Sequence, residues 1–261
     1  MHALTHSPPW GAAPCPAGRA RRLPWGEARF IADWRRMLFV HFSLSPAVLA
    51  PQVPFALDTC DGRAFVSLVF FTLENMHAPG TGRLGRWLLA PISDHFFLNV
   101  RTYVRHADVT GIQFLAEWIP NPLSLRLGPL TYGLPYRLGE FIHRAGSEGG
   151  VDHLTVRGRH ENAELHLAFP RHRPETAGRC PAGSTDEFLL ERYTAFTCRD
   201  GVARRFNVDH DPWLATRADW VRYDLALVER VFPWFRHAEF HSAHLSEGVT
   251  NVRMGRPERL G

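Results

Sequence analysis

Phe97-Leu-Asn-Val-Arg-Thr-Tyr-Val-Arg105 and Ile112-Gln-Phe-Leu-Ala-Glu-Trp118, with a turn near Asp108–Gly111 between them, read as one β-hairpin. Both runs are rich in β-branched and aromatic residues, which suit a pleated, half-buried surface. Alternate side chains of a strand share a face, so Asn99, Arg101, Tyr103 and Arg105 point one way and Val100, Thr102 and Val104 the other. The polar row is a line of hydrogen-bond donors with two guanidiniums, each a planar fork that fits a carboxylate. Two arrangements satisfy this pattern. Either the row lines a closed interior and forms an anion site, or it is the solvated side of an ordinary hairpin. Glu117, on the second strand, is either a base or the mate of an arginine.

Outward from this hairpin the chain reads as short strands broken by turns. Met37–Phe42, Arg63–Leu73, Arg137–His143, Val151–Arg159, Ala163–Phe169, Ala195–Arg199 and Ala203–Asp209 carry strand patterns, and the end returns to strands near Phe240–Leu245 and Thr250–Arg253. Asp61-Gly62 and Asp200-Gly201 are hairpin-turn pairs. Thr185–Tyr193 is the clearest helix, with Ser184 as N-cap and Glu187 as its capping-box partner. Helices are also predicted over Glu27–Arg36 and Asp219–Val231, a short helical connection over Pro46–Pro54, and a glycine-rich loop over Pro79–Gly85. Together these predict an α+β, mainly antiparallel β fold, closed or sandwiched, with peripheral helices. A single β-rich domain is expected over residues 25–261. Residues Met1–Pro24, rich in Pro, Gly and Ala and bearing Arg19, Arg21 and Arg22 without an acid, read as a disordered basic arm.

Composition narrows the function classes. The chain has 261 residues and a formal net charge of +4, and all 30 of its cationic Lys/Arg positions are arginine. Acids are interleaved with the arginines and no five like charges run together, so nucleic acid is not an expected partner. The longest apolar stretch, Ala64–Leu73, is too short to span a bilayer, and the N-terminus lacks the apolar centre of a secretion signal. No membrane partner is expected, and the location is expected to be cytoplasmic. Cys15, Cys60, Cys180 and Cys198 include no C-x-x-C pair and are expected to be reduced.

A second chemical feature is Thr131-Tyr-Gly-Leu-Pro-Tyr-Arg137. Gly133 and Pro135 hold a bend, with Tyr132, Tyr136 and Arg137 around it. A phenol beside a guanidinium can stabilise an oxyanion or relay a proton; the alternative is a structural loop. No metal is expected: His237, His241 and His244 are close in sequence, but there is no H-E-x-x-H and no thiolate pair. No cofactor is expected either. Gly80-Thr-Gly-Arg-Leu-Gly85 superficially matches a dinucleotide fingerprint but is read as a loop lacking the strand-to-helix setting that cradles pyrophosphate.

Met37-Leu-Phe-Val-His-Phe42, Asp58-Thr-Cys-Asp-Gly-Arg-Ala-Phe65, Asn99-Val-Arg-Thr-Tyr-Val104, Tyr132-Gly-Leu-Pro-Tyr136 and Phe188-Leu-Leu-Glu-Arg-Tyr193 together resemble the YqjF-like family, domain of unknown function 2071. The resemblance runs from about Trp34 to Arg253. It implies an acetoacetate decarboxylase-like β-cone or barrel with a ligand cavity inside. In the decarboxylases a Gly-aromatic-Pro-Lys-Lys motif supplies the imine-forming amine. Gly133-Leu-Pro-Tyr-Arg137 is similar to that motif in place, with Tyr136 and Arg137 where the lysines stand, and Asn99 where a helping glutamate stands. Imine formation needs a deprotonated amine, which neither phenol nor guanidinium provides.

The expected ligand is therefore a small organic anion or carbonyl compound held without Schiff-base chemistry. Arg101, Arg137, Asn99, Tyr103 and His41 are the expected ligand-binding residues, with Tyr136 and Glu117 as catalytic candidates. Two other readings stand beside this one: a lyase or isomerase using acid–base catalysis on an oxo or hydroxy acid, and a protein-interaction module with a vestigial cavity. A homo-oligomer is compatible with all three.

Overall fold

The computed structural model describes Cys15 and residues 27–146, 150–172 and 174–261. In order these form β1 (Ala28–Leu44), α1 (Pro46–Leu49), β2 (Ala56–Leu57), β3 (Ala64–His77), α2 (Gly82–Leu89), β4 (His95–His106), β5 (Val109–Ile119), α3 (Pro122–Tyr132), β6 (Tyr136–Arg144), β7 (Val151–Gly158), β8 (Ala163–Pro170), α4 (Thr185–Leu190), β9 (Thr194–Arg199), β10 (Val202–Asp209), β11 (Thr216–Arg217), β12 (Arg222–Asp224), α5 (Ala226–Val231), β13 (Glu239–Gly255) and β14 (Glu258–Arg259). Apart from Cys15, the basic arm expected over residues 1–24 lies outside the described residues.

Strands pair in a circuit: β5 with β9, then β10, β13, β1, β3, β4 and back to β5. The long antiparallel ladders β13–β1, β1–β3, β3–β4 and β4–β5 carry most of the pairing. The circuit is thin at two seams of two residue pairs each, Val208 and Asp209 with Met254 and Arg253, and Ile112 and Gln113 with Ala195 and Phe196. The sheet thus closes on itself without becoming an even barrel. At the second seam β5 forks: its first half meets β9, while Glu117–Ile119 pair in parallel with β6 and lead into a second sheet, β6–β7–β8–β12.

Two cores follow from the fork. Inside the circuit pack Phe39, Val69, Phe71, Phe97, Ile119 and Phe188. Between the circuit, the second sheet and α5 pack Leu38, Val40, Phe70, Val100, Trp118 and Leu167. Alternate residues of β1, β3 and β4 go to opposite cores, which explains why Met37–Phe42 and Ala64–Leu73 are apolar on both faces apart from His41, Ser67 and Thr72.

Several expectations are corrected. Glu27–Arg36 is not a helix; Ala28 onward is β1, whose register slips against β13 and β3 and whose Arg36 has φ 54° break the two-residue period. Within Asp219–Val231 a short strand comes first and the helix begins only at Ala226. Gly82–Gly85 belongs to α2, so the Gly80–Gly85 motif does stand between a strand and a helix. The strands on either side, β3 and β4, are antiparallel neighbours, so no parallel βαβ crevice forms to hold pyrophosphate. The proline-rich stretch after β5 is helix α3: Pro122 sits in its first turn, Asn121 accepts from the N–H groups of Leu123 and Ser124, and Gly133 ends it at φ 71°. α4 has the expected cap, Ser184 accepting from the Glu187 N–H.

The expectation of four reduced cysteines also fails. Cys15 and Cys60 form a disulfide with Cα atoms 5.5 Å apart, and Cys15 N–H donates to Gly183 O. The partners lie 45 residues apart, and no spacing pattern encodes where the N-terminal segment returns. Cys180 and Cys198 are free thiols. Among the described residues, no helix is long and apolar enough to cross a membrane.

Candidate functional site

The polar row of β4 faces the interior of the circuit. Asn99, Arg101 and Tyr103 are all buried, while Arg105, near the strand end, is exposed. On β5 a register slip opposite Val100 and Arg101 inserts Leu115, which turns Phe114 and Glu117 to the same inner side although they are three apart. Glu117 then stands directly opposite Asn99 and accepts a hydrogen bond from its amide nitrogen at 3.3 Å. The other carboxyl oxygen of Glu117, Oε2, and the amide oxygen of Asn99, Oδ1, are buried without a partner. Burial raises the Glu117 carboxyl to about 8, against the opposing effect of the Asn99 bond, so it holds its proton at neutral pH.

Tyr136 opens β6 beside this pair, in register with Glu117. Its ring lies 6.0 Å from that of Phe97, and α3 rests on it through Gly128. Burial, then Glu117 and Tyr132, push its phenol well above the ordinary value. Tyr136 therefore stays a neutral phenol rather than a phenolate.

Arg101 comes next along the row. Its guanidinium lies 5.6 Å from the Phe39 ring and donates to Leu189 O at 3.3 Å, while its Nε has no partner. Among the described residues no carboxylate pairs with it. Its neighbour Arg192 is treated differently: fully buried, it donates to Asp58 at 2.7 Å and to Phe188 O at 2.7 Å, and stacks 4.0 Å over the Phe188 ring. Of the two guanidiniums buried among the described residues, only that of Arg192 has a counter-charge. A buried cation without one is costly, and an anionic ligand removes the cost.

Beyond Arg101, a chain of hydrogen bonds runs His41 Nδ1–Ser67 Oγ at 2.7 Å, Ser67 Oγ–Tyr103 OH at 2.6 Å and Tyr103 OH–Leu189 O at 2.9 Å. The carbonyl can only accept, so the Tyr103 proton points to it. Ser67 must then donate to Tyr103, and His41 must carry its proton on Nδ1. Nε2 is left as an unprotonated, unpartnered acceptor. Burial, then the His244 and Arg101 charges, hold His41 well below its usual range, so the ring stays neutral. His244 lies 5.2 Å away and pairs with Asp186 at 3.3 Å.

The structure thus brings Asn99, Arg101, Tyr103, Glu117, Tyr136 and His41 to one interior. Arg137 is set apart, because successive residues of β6 face opposite ways: it pairs with Glu161 at 2.8 Å and lies against the outward-facing Trp118. Ser67, Arg192 and the Leu189 carbonyl escape sequence reading, while His244 enters it only as a candidate metal ligand. Leu189 and Arg192 have a signal in their place within Phe188–Tyr193; Ser67 has none. A separate cleft of about 770 Å³ opens between the start of β4 and the second sheet, lined by His95, Phe96, Glu140, Phe141, Arg157 and Glu164 among others. None of the sequence-predicted residues lines it, and its Arg157 is already paired with Glu164 and Glu140. Arg159 also lines the cleft but is exposed, whereas the buried guanidinium without a counter-charge, that of Arg101, is inside the circuit.

A family model described as an uncharacterised conserved protein, DUF2071, matches residues 31–250. The chain belongs to the DUF2071 family. It is 28% identical over 191 residues to the uncharacterised protein YqjF of Bacillus subtilis, covering 71% of this chain and 74% of that one. An acetoacetate decarboxylase-like enzyme from Sphingomonas wittichii RW1 superposes with a TM-score of 0.62 at 18% identity, over 94% of this chain and 99% of that one. The enduracididine biosynthesis enzyme MppR, complexed with pyruvate, superposes with a TM-score of 0.59 at 12% identity, over 89% and 90%. These likenesses establish an acetoacetate decarboxylase-like fold for this DUF2071 member. In it, the two positions that resemblance matched to the decarboxylase lysines, Tyr136 and Arg137, face opposite sides of β6.

Proposed function

We propose that the interior of the circuit binds a short oxo or hydroxy acid, or a related carbonyl compound, without forming an imine. One observation carries this reading: among the described residues the buried Arg101 guanidinium has no carboxylate partner, and the carboxyl of Glu117, which faces the same interior, is protonated. A ligand carboxylate supplies the missing charge through a charge-assisted bond to Nε. The Glu117 carboxylic acid then donates to a ligand oxygen, Asn99 Oδ1 accepts from a hydroxyl, and Tyr136 orients the bound molecule. The sequence contains no lysine, so a side-chain imine is excluded on chemical grounds. Pyruvate bound to the similarly folded MppR belongs to the same ligand class.

A second reading adds chemistry to the same interior. His41 Nε2 is a neutral base and Glu117 an acid with a value near neutrality, the pairing that proton abstraction or dehydration beside a carbonyl requires.

The test is a thermal-shift and calorimetric screen of the full chain against pyruvate, lactate and acetoacetate. Arg101→Met and Glu117→Gln are the site variants and Arg137→Met is the control. Binding that is lost in the first two and retained in the third supports the assignment. Equal stabilisation of all four proteins removes Arg101 and Glu117 from the site. Turnover of a bound acid, abolished by His41→Gln with binding retained, adds the second reading.

A further inference from the structure

We propose that α2 and α3 together form a face that docks on an anionic lipid surface. Leu84, Trp87 and Leu88 of α2 and Leu123, Leu127 and Leu130 of α3 are exposed, Trp87 to 72% and Leu130 to 79%. They are six of the eleven large apolar side chains exposed among the described residues. Their spacings, i, i+3, i+4 on α2 and i, i+4, i+7 on α3, put each set on one side of its helix. The helices adjoin: Asn121, the N-cap of α3, donates its side-chain amide to Pro91 O just beyond the end of α2, at 2.6 Å.

The charge around this face selects the occupant. Residues 75–93 and 118–139 contain no Asp or Glu, whereas Arg83, Arg86 and Arg126 are exposed there and make no ion pair among the described residues. A second copy of the chain, docked about a two-fold axis, sets this patch against itself and brings Arg83, Arg86 and Arg126 together with no acid within these two segments to separate them. An anionic bilayer meets both demands, apolar insertion for Leu and Trp and negative headgroups for the arginines. Trp87 suits the headgroup boundary. The sequence expectation of no membrane partner rested on the lack of a spanning segment, which does not bear on a helix lying flat in the interface.

The test is flotation of the full chain with vesicles of phosphatidylcholine alone and of phosphatidylcholine mixed with phosphatidylglycerol. Wild type, Trp87→Ser with Leu88→Ser, and Arg83→Gln with Arg86→Gln are compared. Exposed positions are replaced, so folding, checked by thermal melting, is retained. Binding is expected to the mixed vesicles, to fall about tenfold or more in each double variant, and to weaken with salt. No binding to mixed vesicles overturns the proposal. Binding unchanged in the Trp87→Ser, Leu88→Ser variant also overturns it, by assigning attachment to another part of the chain. A dimer in solution that those two substitutions dissociate gives the face to a second copy and overturns it as well.

Discussion

Asn99 and Glu117 face each other across the β4–β5 ladder, joined by one hydrogen bond, and each keeps one buried side-chain oxygen without a partner. Such a pair is stable only while the carboxyl is protonated, because burying an unpaired carboxylate is costly.

The carboxyl, raised to about 8, holds its proton more tightly in the fold than in the unfolded chain. Its contribution is complete below the unfolded value of 4.5 and is lost as pH rises through about 8, a loss on the order of a few kcal/mol. Glu117→Gln is expected to flatten the alkaline side of a plot of thermal midpoint against pH. The acid side remains, because His41 and His95 are held neutral by burial and destabilise the fold as pH falls below their unfolded value of 6.5. An alkaline limb unchanged in Glu117→Gln places its cause elsewhere.

Asp58 is the counter-charge of Arg192, whose side chain is fully buried. Asp58→Ala leaves that cation unpaired and is expected to cost about 3–5 kcal/mol in urea melts. Adding Arg192→Met to Asp58→Ala is expected to recover part of the loss. If the double variant is no better than Asp58→Ala alone, the cost does not come from the buried charge.

A Cβ at Gly128 of α3 lies 2.1 Å from a ring carbon of Tyr136. Glycine to alanine inside a helix ordinarily stabilises by about 1 kcal/mol. Here the sign is expected to reverse, with a cost of about 1–3 kcal/mol from overpacking. Ligand affinity is expected to fall with it, as Tyr136 is displaced. A more stable Gly128→Ala protein shows that α3 does not rest on that ring.

Closing 45 residues with the Cys15–Cys60 disulfide restricts the unfolded chain by about 4 kcal/mol. Alkylation of the denatured, unreduced protein is expected to label Cys180 and Cys198 alone, and Cys15→Ser to lower the thermal midpoint. Four adducts without reductant rule out the bond.

The sequence by itself determined most of the sheet and the chemistry that cannot occur. The hairpin period placed Asn99, Arg101 and Tyr103 on one face, Ser184 marked α4, and the lack of lysine excluded an imine. These are local or compositional properties, legible one segment at a time. It could not decide whether the arginine row faced water or an interior, because that depends on a circuit closed at two seams by strands far apart in the chain. The slip at Leu115 that turns Glu117 inward and the face of β6 that carries Arg137 away are likewise products of pairing. The same holds for the return of Cys15 to Cys60 and for the meeting of His41, Ser67 and Tyr103. Each is set by which distant segment lies alongside. Only the packed fold settles whether a charge such as that of Arg101 is buried and whether it has a partner.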